Sequence, residues 1–304
     1  MGRLQEQADR PDLALEQYRK AIAENPDDIV LREALVSGLV EAGELDRAIE
    51  AAKSALQVNT QSIQLYNSLG LAYLNRGEAA LARFVYEKAR NTVQGADENA
   101  AIHANLGRVL RMQEDLPNAR FHLTKAVELD DRYLPALVYL SDLYMEDRNY
   151  GDASGLLEKA RALDPRNFWV LVNLGVAYRG MQEFDKAQAA YEAAMAINAE
   201  NPDPHFNLGI LNGDHRKEYA DGIKALETYV AMGGAEAERA NEYIESLQKE
   251  KRRADRRKQR EEARKAAEAE AAERQRLLEQ EQGAGGESPD GESPQPEAPQ
   301  GDTP

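Results

Sequence analysis

The chain has 304 residues, of which 42% are hydrophobic, 30% are charged and 6% are aromatic. It carries 38 basic and 54 acidic residues, and the net charge of -16 argues against binding of nucleic acid or anionic lipid by the whole surface. The absence of cysteine excludes disulfides, thiolate metal sites and thiol nucleophiles.

The stretch up to about residue 234 is built from internal repeats. Five segments align under one another, and they begin at Leu31, Leu65, Ile102, Ala136 and Val170. Their frame is 34 residues, interrupted by about three extra residues around positions 94–99. Each unit predicts two helices, with Leu and a small residue in the first and two Ala seven residues apart in the second. Helices approach closely only where side chains are small, and one hairpin cannot bury both of its faces. The units are therefore predicted to stack as a solenoid.

This pattern resembles the tetratricopeptide repeat family. The family's seventh-position Leu falls on Leu35, Leu69, Leu106, Leu140, Leu174 and Leu208. The small residue after it falls on Gly70, Gly107, Ser141, Gly175 and Gly209, with Val36 as a departure. The Ala at the helix crossing falls on Ala14, Ala48, Ala82, Ala119, Ala153 and Ala187, with Gly222 in the last unit. The resemblance covers roughly residues 1–234 and implies an all-α solenoid of about seven helix-turn-helix repeats.

The first repeat is predicted to be truncated. In the family's frame Met1 stands at the seventh position and Gly2 at the eighth, so the six preceding positions are absent. We expect the natural protein to extend further toward its N-terminus, for example through a signal sequence or a lipid-anchored cysteine. The alternative is a genuinely shortened first helix.

Three segments are predicted to follow the repeats. Residues 235–248 form a capping helix, in which Tyr243, Ile244 and Leu247 are spaced to cover the end of the solenoid. Residues 249–282 continue as a charged, Ala-rich extended helix without the heptad seam of a coiled coil. Residues 283–304 have the Pro, Gly, Ser and Glu content of a disordered tail.

No pattern in the sequence indicates catalysis. His103 and His205 both occupy the fourth repeat position, where we expect partly buried packing residues, and the other two histidines have no ligand-like spacing to them. Neither a phosphate-binding loop nor a nucleophile elbow occurs. We predict a non-enzymatic protein with no cofactor, no metal and no small-molecule substrate.

The resemblance also implies a peptide-binding groove, because the first helices of the family line a concave surface. The positions that point into it carry Ser68, Asn105, Arg108, Tyr139, Asp142, Trp169, Asn173, Phe206 and Asn207. An Asn side chain can hydrogen-bond an extended backbone whatever its sequence, and aromatic side chains supply contact area. The alternative is that Asn at the sixth position is simply common in the family.

Residues 249–260, KEKRRADRRKQR, form a second candidate contact region. Eight basic and two acidic residues give this stretch a local charge of +6. We expect it to contact an anionic surface, which is the chain's own acidic solenoid, a partner or phospholipid headgroups, through Arg252, Arg253, Arg256 and Arg257. The alternative is a solvated charged helix.

These features together predict a scaffold that holds a peptide segment or partner subunit in its groove. The chain is also similar to bacterial cell-envelope repeat proteins, including lipoproteins of myxobacterial gliding-motility and pilus-assembly machines. This resemblance implies a periplasmic or outer-membrane-associated location if a missing N-terminal signal or lipobox exists, and otherwise a cytoplasmic one. The alternative is a soluble cytoplasmic regulator or nucleic-acid-associated adaptor that acts through residues 249–260. A lipobox cysteine upstream would favour the envelope, whereas a continuing repeat would favour the cytosol or a larger protein.

Overall fold

The computed structural model describes residues 11–284, and these residues form fourteen α-helices. The second helices of the repeats are α1 (Pro11–Glu24), α3 (Leu45–Val58), α5 (Ala79–Thr92), α7 (Leu116–Leu129), α9 (Tyr150–Leu163), α11 (Phe184–Ile197) and α13 (Tyr219–Ala231). The first helices are α2 (Ile29–Glu41), α4 (Ile63–Asn75), α6 (Ala100–Met112), α8 (Leu134–Glu146), α10 (Phe168–Gly180) and α12 (Asp203–Ile210). Helix α14 (Ala237–Ala284) follows them. The described residues divide into two units after Asn241.

The helices pair as the repeat pattern predicts. Each first helix packs on the second helix of its own repeat, and each second helix then contacts the first helix of the next repeat. This confirms the all-α helical repeat array. Helix α1 corresponds to the second helix of the first repeat, and the predicted truncation before it concerns residues 1–10, which lie outside the described residues.

Side-chain caps begin most of the first helices. The Asp28 carboxylate accepts hydrogen bonds from the backbone N–H groups of Val30 and Leu31, at 3.0 and 3.2 Å. Ser62, Asn99 and Asn167 cap α4, α6 and α10 in the same way. Such a cap satisfies N–H groups that have no partner inside the helix, so these positions mark where each repeat begins.

Small residues occupy the helix crossings, as predicted. The crossing residues Ala48, Ala82, Ala119, Ala153 and Ala187 have no exposed surface. A Cβ atom added to Gly70 would lie 2.3 Å from Cζ of Tyr86, and one added to Gly175 would lie 2.2 Å from Cε1 of Tyr191. The glycines are therefore required by the large side chains that the second helices place against them.

Val36 shows that this pairing of small and large residues can be reversed. It stands where the other repeats have Gly or Ser, and it is completely buried. The position in its own second helix that corresponds to Tyr86 and Tyr191 is Ala52, which is also completely buried. The larger side chain thus comes from the first helix in this repeat, and the departure from the family pattern is compensated locally.

The turn between the two helices of a repeat contains one residue in the left-handed conformation. The first two of these turns use Gly43 and Gly77, with φ values of 73° and 86°. The corresponding positions in the next four repeats carry longer side chains with φ between 59° and 64°, namely Glu114, Arg148, Gln182 and Lys217. The same turn is therefore made, with different residue types, in the six repeats for which both helices are described.

The three extra residues near position 96 form a short 3-10 helix. It spans Ala96–Glu98 and follows Gly95, whose φ is 77°. The helices on either side keep their lengths of 14 and 13 residues. The insertion is therefore confined to the connection between two repeats.

A second irregularity lies within the last repeat, and the alignment of the five segments does not contain it. Helix α12 continues into a π-helix, Leu211–Arg216, which accommodates one extra residue between the Leu208 and Gly222 positions. A Cβ atom on Gly222 would lie only 2.8 Å from the backbone N of Gly213. The altered path of the first helix explains why Gly replaces the usual Ala at this crossing.

Helix α14 is continuous over its 48 residues. The predicted capping segment and extended segment are thus parts of one helix. Ile244 and Leu247 are buried and Tyr243 is half-buried, whereas residues 251–280 are exposed throughout. The capping role stays a prediction, and the predicted disordered tail lies outside the described residues apart from its first two positions. Among the helices described, none has the length and apolarity needed to cross a membrane.

Candidate functional site

The first helices lie side by side and form a common surface, which we call the first-helix face. Direct contacts join α2 to α4, α4 to α6, α6 to α8, and α10 to α12. Helices α8 and α10 are joined by a hydrogen bond of 3.2 Å from Nδ2 of Asn173 to Oδ1 of Asp142. Side chains at the same repeat position therefore follow one another along this face.

Polar side chains connect neighbouring first helices. Nδ2 of Asn105 donates to Oδ1 of Asn67 at 2.7 Å. Nη1 of Arg111 donates to Oδ2 of Asp142 at 3.3 Å and to Oε1 of Glu146 at 3.1 Å. Burial raises the pKa of Asp142, and the positive charge of Arg111 opposes that rise. These contacts hold adjacent repeats in register in addition to presenting polar groups.

Aromatic side chains are presented at three places on the first-helix face. Trp169 is 56% exposed and lies edge-on to Phe168, with 5.0 Å between the ring centroids. Tyr139 lies under the guanidinium of Arg108, at 5.6 Å from the ring centroid. Phe206 lies between Tyr229 and the guanidinium of Arg239, at 5.0 and 5.5 Å. Trp169 is the most exposed large apolar side chain of the described first helices.

The predicted groove residues differ in their accessibility. Ser68 and Asn105 are both only 4% exposed. Asn207 is half-buried and donates from Nδ2 to the carbonyl oxygen of Asp203 at 3.1 Å. Trp169 is exposed, and five further groove residues are half-buried like Asn207, namely Arg108, Tyr139, Asp142, Asn173 and Phe206. The groove assignment of all nine residues stays a prediction, and Trp169 is the most accessible of them to a partner.

The basic stretch lies on the exposed part of α14. Arg252, Arg253, Arg256 and Arg257 are all exposed. Arg253 pairs with Glu250 at 2.6 Å, whereas the other three form no ion pair with any described carboxylate. The predicted helical pair of Glu261 and Lys265 is present, with 2.8 Å between the charged atoms.

Two histidines that sequence spacing did not connect lie in contact. Nη1 of Arg90 lies 3.2 Å from Nε2 of His122, so this nitrogen accepts and Nδ1 of His122 carries the proton. Nδ1 of His122 then donates to Nδ1 of His103 at 2.9 Å, and Nε2 of His103 donates to the carbonyl oxygen of Asp97 at 3.0 Å. Burial lowers the pKa of both histidines, that of His122 to about 4. The pair is neutral, and it links the inserted 3-10 helix to α6 and α7.

No group of three or more His, Cys, Asp or Glu side chains within residues 11–284 has the arrangement of a metal site. His103 is 2% exposed, which agrees with its predicted role as a packing residue, although it is more deeply buried than expected.

Comparison with protein families identifies the repeats. Residues 33–97 and residues 144–208 each match a model of the tetratricopeptide repeat. With these matches and the helical array described above, the chain is a tetratricopeptide repeat protein. Such proteins mediate protein–protein interactions by binding partners or peptides, and the repeat is a scaffold that is typically non-enzymatic. A comparison with curated protein sequences gave no match.

Several solved structures share the fold. The crystal structure of the APC/C hetero-tetramer Cut9-Hcn1 superimposes with a TM-score of 0.65 at 16% identity, over 76% of this chain and 45% of that chain. The chain thus spans less than half the length of that relative. Pseudomonas aeruginosa pilF matches with a TM-score of 0.60 at 17% identity, over 78% of this chain and 99% of that chain. A tetratricopeptide repeat protein from Parabacteroides merdae matches with a TM-score of 0.54 at 16% identity, over 81% and 96%.

At these identities the likeness extends to the fold alone. The matches do not support the narrower prediction of a myxobacterial gliding-motility lipoprotein.

Proposed function

We propose that the chain is a protein-interaction scaffold that holds an extended segment of a partner along the first helices α6, α8, α10 and α12. The observation that carries this proposal is the exposed indole of Trp169, which has 56% of its surface accessible. Asn173 follows four residues later on the same helix, so both side chains lie on one face. An apolar anchor beside an amide is a suitable arrangement for a peptide, which has both side chains and backbone polar groups.

The geometry of Asn173 supports a backbone contact. One N–H of its amide donates to Asp142, and its carbonyl oxygen has no hydrogen-bond partner among the described residues. A side-chain amide offers two donors and an acceptor with two lone pairs. Asn173 can therefore keep its contact with Asp142 and still accept a hydrogen bond from a peptide N–H.

The proposal is tested by recovering partners from native cells with the full chain and its variants. Trp169→Ala is expected to weaken partner binding by at least about 2 kcal/mol, as loss of a central aromatic does. Asn173→Ala is expected to cost about 1–3 kcal/mol. Phe121→Ala is the matched control, because Phe121 is 61% exposed on the second helix α7.

Melting temperatures of the Trp169 and Phe121 variants should be close to that of the parent, since both side chains are exposed. Equal partner recovery from all three variants would show that the first-helix face is not the binding surface.

We also propose that the scaffold belongs to a multiprotein assembly, such as a bacterial envelope or motility machine. Support for this setting comes from the sequence features alone, which are the repeats and the acidic, Pro-rich tail. Reading the genomic sequence upstream of Met1 and fractionating native cells would test it. Recovery of the chain in the cytosolic fraction, with repeats continuing upstream, would contradict an envelope location.

For residues 249–260 we propose contact with an anionic surface. The support is the exposure of Arg252, Arg256 and Arg257 without a described carboxylate partner. Co-sedimentation with anionic vesicles or with RNA should weaken as salt concentration rises. Changing Arg252, Arg253, Arg256 and Arg257 together to Glu should abolish it, and binding that survives this change would refute the electrostatic contact.

A further inference from the structure

A groove between two second helices carries a different set of side chains from the first-helix face. It lies between the second helices α3 and α5, and we call it the second-helix groove. Its floor is formed by Tyr66 and Tyr73 of α4, and Leu81 and Phe84 of α5 form one wall. The volume is about 380 Å³, which accommodates one or two side chains of a partner.

The apolar wall of this groove is unusually accessible. Phe84 is 62% exposed and Leu81 is 45% exposed. The two side chains lie one helical turn apart beside the pocket. A partner that covered them would remove considerable apolar surface from water.

Two lysines stand at the rim. Nζ of Lys53 lies 5.6 Å from the ring centroid of Tyr73, and Nζ of Lys88 lies 5.9 Å from that of Tyr66. Neither ammonium group forms an ion pair with a carboxylate in the described part of the chain, although the net charge of the whole chain is -16. The groove therefore combines an apolar pocket with two positive charges that have no acidic partner, and its charge is complementary to that of an acidic ligand.

The next groove along the array lacks this combination. Phe121 corresponds to Phe84, but the position of Lys53 is occupied by Glu87, which pairs with Arg83 at 2.8 Å. The position of Val85 is occupied by His122, which accepts a hydrogen bond from Arg90. The polar groups of that groove already have partners, so an exposed Phe alone does not make the site.

We propose that the second-helix groove binds an acidic peptide segment that inserts an aromatic or large aliphatic side chain. The inserted side chain would contact Phe84, Leu81 and the floor tyrosines, and flanking carboxylates would pair with Lys53 and Lys88. The walls of this groove belong to the second helices α3 and α5, and its floor tyrosines lie on α4, which is not one of the helices α6, α8, α10 and α12 proposed to hold an extended segment. The proposal therefore does not depend on the function proposed for those helices.

A displayed library of random peptides tests the proposal without knowledge of the natural partner. The full chain is the bait, and the variant carrying both Lys53→Glu and Lys88→Glu is used for counter-selection. We expect enrichment of peptides with acidic residues beside an aromatic or aliphatic residue. Failure to enrich any peptide, or enrichment of peptides without acidic residues, would overturn the proposal.

The synthetic form of the most enriched peptide is then titrated by fluorescence anisotropy. The double Glu variant and Phe84→Ala should each raise the Kd roughly tenfold or more, and salt should raise it further. Phe121→Ala is the matched control and should leave the Kd unchanged. Equal weakening by Phe84→Ala and Phe121→Ala would contradict the assignment to this groove.

A second copy of the chain is the competing occupant, because the chain itself is acidic. Sedimentation equilibrium of the parent and of Phe84→Ala distinguishes the two. A monomeric parent supports a peptide ligand, whereas a dimer that dissociates on Phe84→Ala would assign the groove to self-association. Melting curves of each variant confirm that the repeats remain folded.

Discussion

Within residues 11–284 the repeat array is interrupted twice, between repeats at Ala96–Glu98 and inside a first helix at Leu211–Arg216. After the first interruption the normal crossing is restored, since Ala119 has no exposed surface and a Cβ on Gly107 would lie 2.6 Å from Cγ of Leu123. After the second, the crossing residue itself changes to Gly222. An insertion in a connection thus leaves helix packing intact, whereas an insertion within a helix must be compensated on the facing helix.

The insertion in the connection, Ala96–Glu98, has its own stabilising contact. The carbonyl oxygen of Asp97 accepts a hydrogen bond from His103, and His103 is in turn bonded to His122. The helix insertion is fixed by contacts of Arg216, which bonds to Oε1 of Gln188 at 2.6 Å and pairs with Asp185. The two interruptions are therefore expected to respond to different perturbations.

Gly222→Ala is predicted to lower the free energy of unfolding more than the other changes considered below. Its Cβ would meet the backbone N of Gly213 at 2.8 Å and the carbonyl oxygen of Gly209 at 3.0 Å, and backbone atoms cannot move aside as a flexible side chain can. We expect a loss of about 2–3 kcal/mol, concentrated in the last repeat because each repeat contacts only its neighbours. Hydrogen exchange of α12 and α13 would measure it.

The control for this substitution is Ala187→Gly at the regular crossing one repeat earlier. This change removes a methyl group and lowers the helix propensity at that position, so the free energy of unfolding should fall by about 1 kcal/mol. A double variant that deletes Gly213 and carries Gly222→Ala should be more stable than Gly222→Ala alone, because the shorter helix restores the usual spacing. Equal stability of these two variants would contradict the link between the π-helix and Gly222.

The second-largest effect is predicted for acid, which should destabilise the fold around the inserted 3-10 helix, Ala96–Glu98. Burial lowers the pKa of His122 to about 4, and it also lowers the pKa of His103 from its usual 6.5. The positive charge of Arg90 lowers the pKa of both histidines and that of Lys125 lowers the pKa of His103, whereas Asp97 raises both. At His122 the unfolded chain therefore binds more protons than the folded chain between pH 6.5 and about 4, and His103 contributes in the same direction. Stability is fully present above pH 6.5 and falls with decreasing pH, by about 1–2 kcal/mol between pH 7 and 5. Urea unfolding at both pH values would measure this loss.

The control replaces the pair by the residues of the preceding repeat. Tyr66 and Val85 stand at the corresponding positions, so the double variant is His103→Tyr with His122→Val. Its stability should depend less steeply on pH between 7 and 5. An unchanged dependence would show that other groups are responsible.

A smaller effect is predicted for Gly95→Ala. Gly95 has a φ of 77°, where a Cβ is disfavoured, and its nearest side-chain atom lies 4.0 Å from the Cβ position. The cost should therefore be about 1 kcal/mol of backbone strain without a clash. Gly155→Ala is the matched comparison, because Gly155 is exposed within α9 with open space around it, and it should stabilise by about 0.5–1 kcal/mol. Thermal melts that shifted both variants in one direction would contradict this account.

The crossings could be predicted from the sequence because the requirement for a small residue recurs at fixed spacing. The residue type itself predicts the crossing at Ala48, Ala82 and Ala153. The structure places each of them at a crossing with no exposed surface. The π-helix could not be predicted, since one additional residue between Leu208 and Gly222 does not show which backbone hydrogen bonds will shift. Gly in place of Ala at position 222 was the available signal.

The sites were less predictable because they combine residues from several helices. His103 and His122 are 19 positions apart, and their contact depends on how α6 crosses α7. Asn105 looked available for a peptide, yet its amide bonds to Asn67 of the preceding first helix. Lys53 and Lys88 belong to different repeats, and only the packed array shows that they border one pocket.

The left-handed turns have a consequence for engineering of the protein. Four of the six turns place a side chain where Gly would be unstrained, at Glu114, Arg148, Gln182 and Lys217. Gly at each of these positions would relieve backbone strain, but it would also have greater conformational freedom in the unfolded chain. The net gain in the free energy of unfolding should be about 0.5 kcal/mol per turn. A more heat-resistant version of the array is therefore accessible through its turns, with every side chain of the two candidate binding surfaces kept in place.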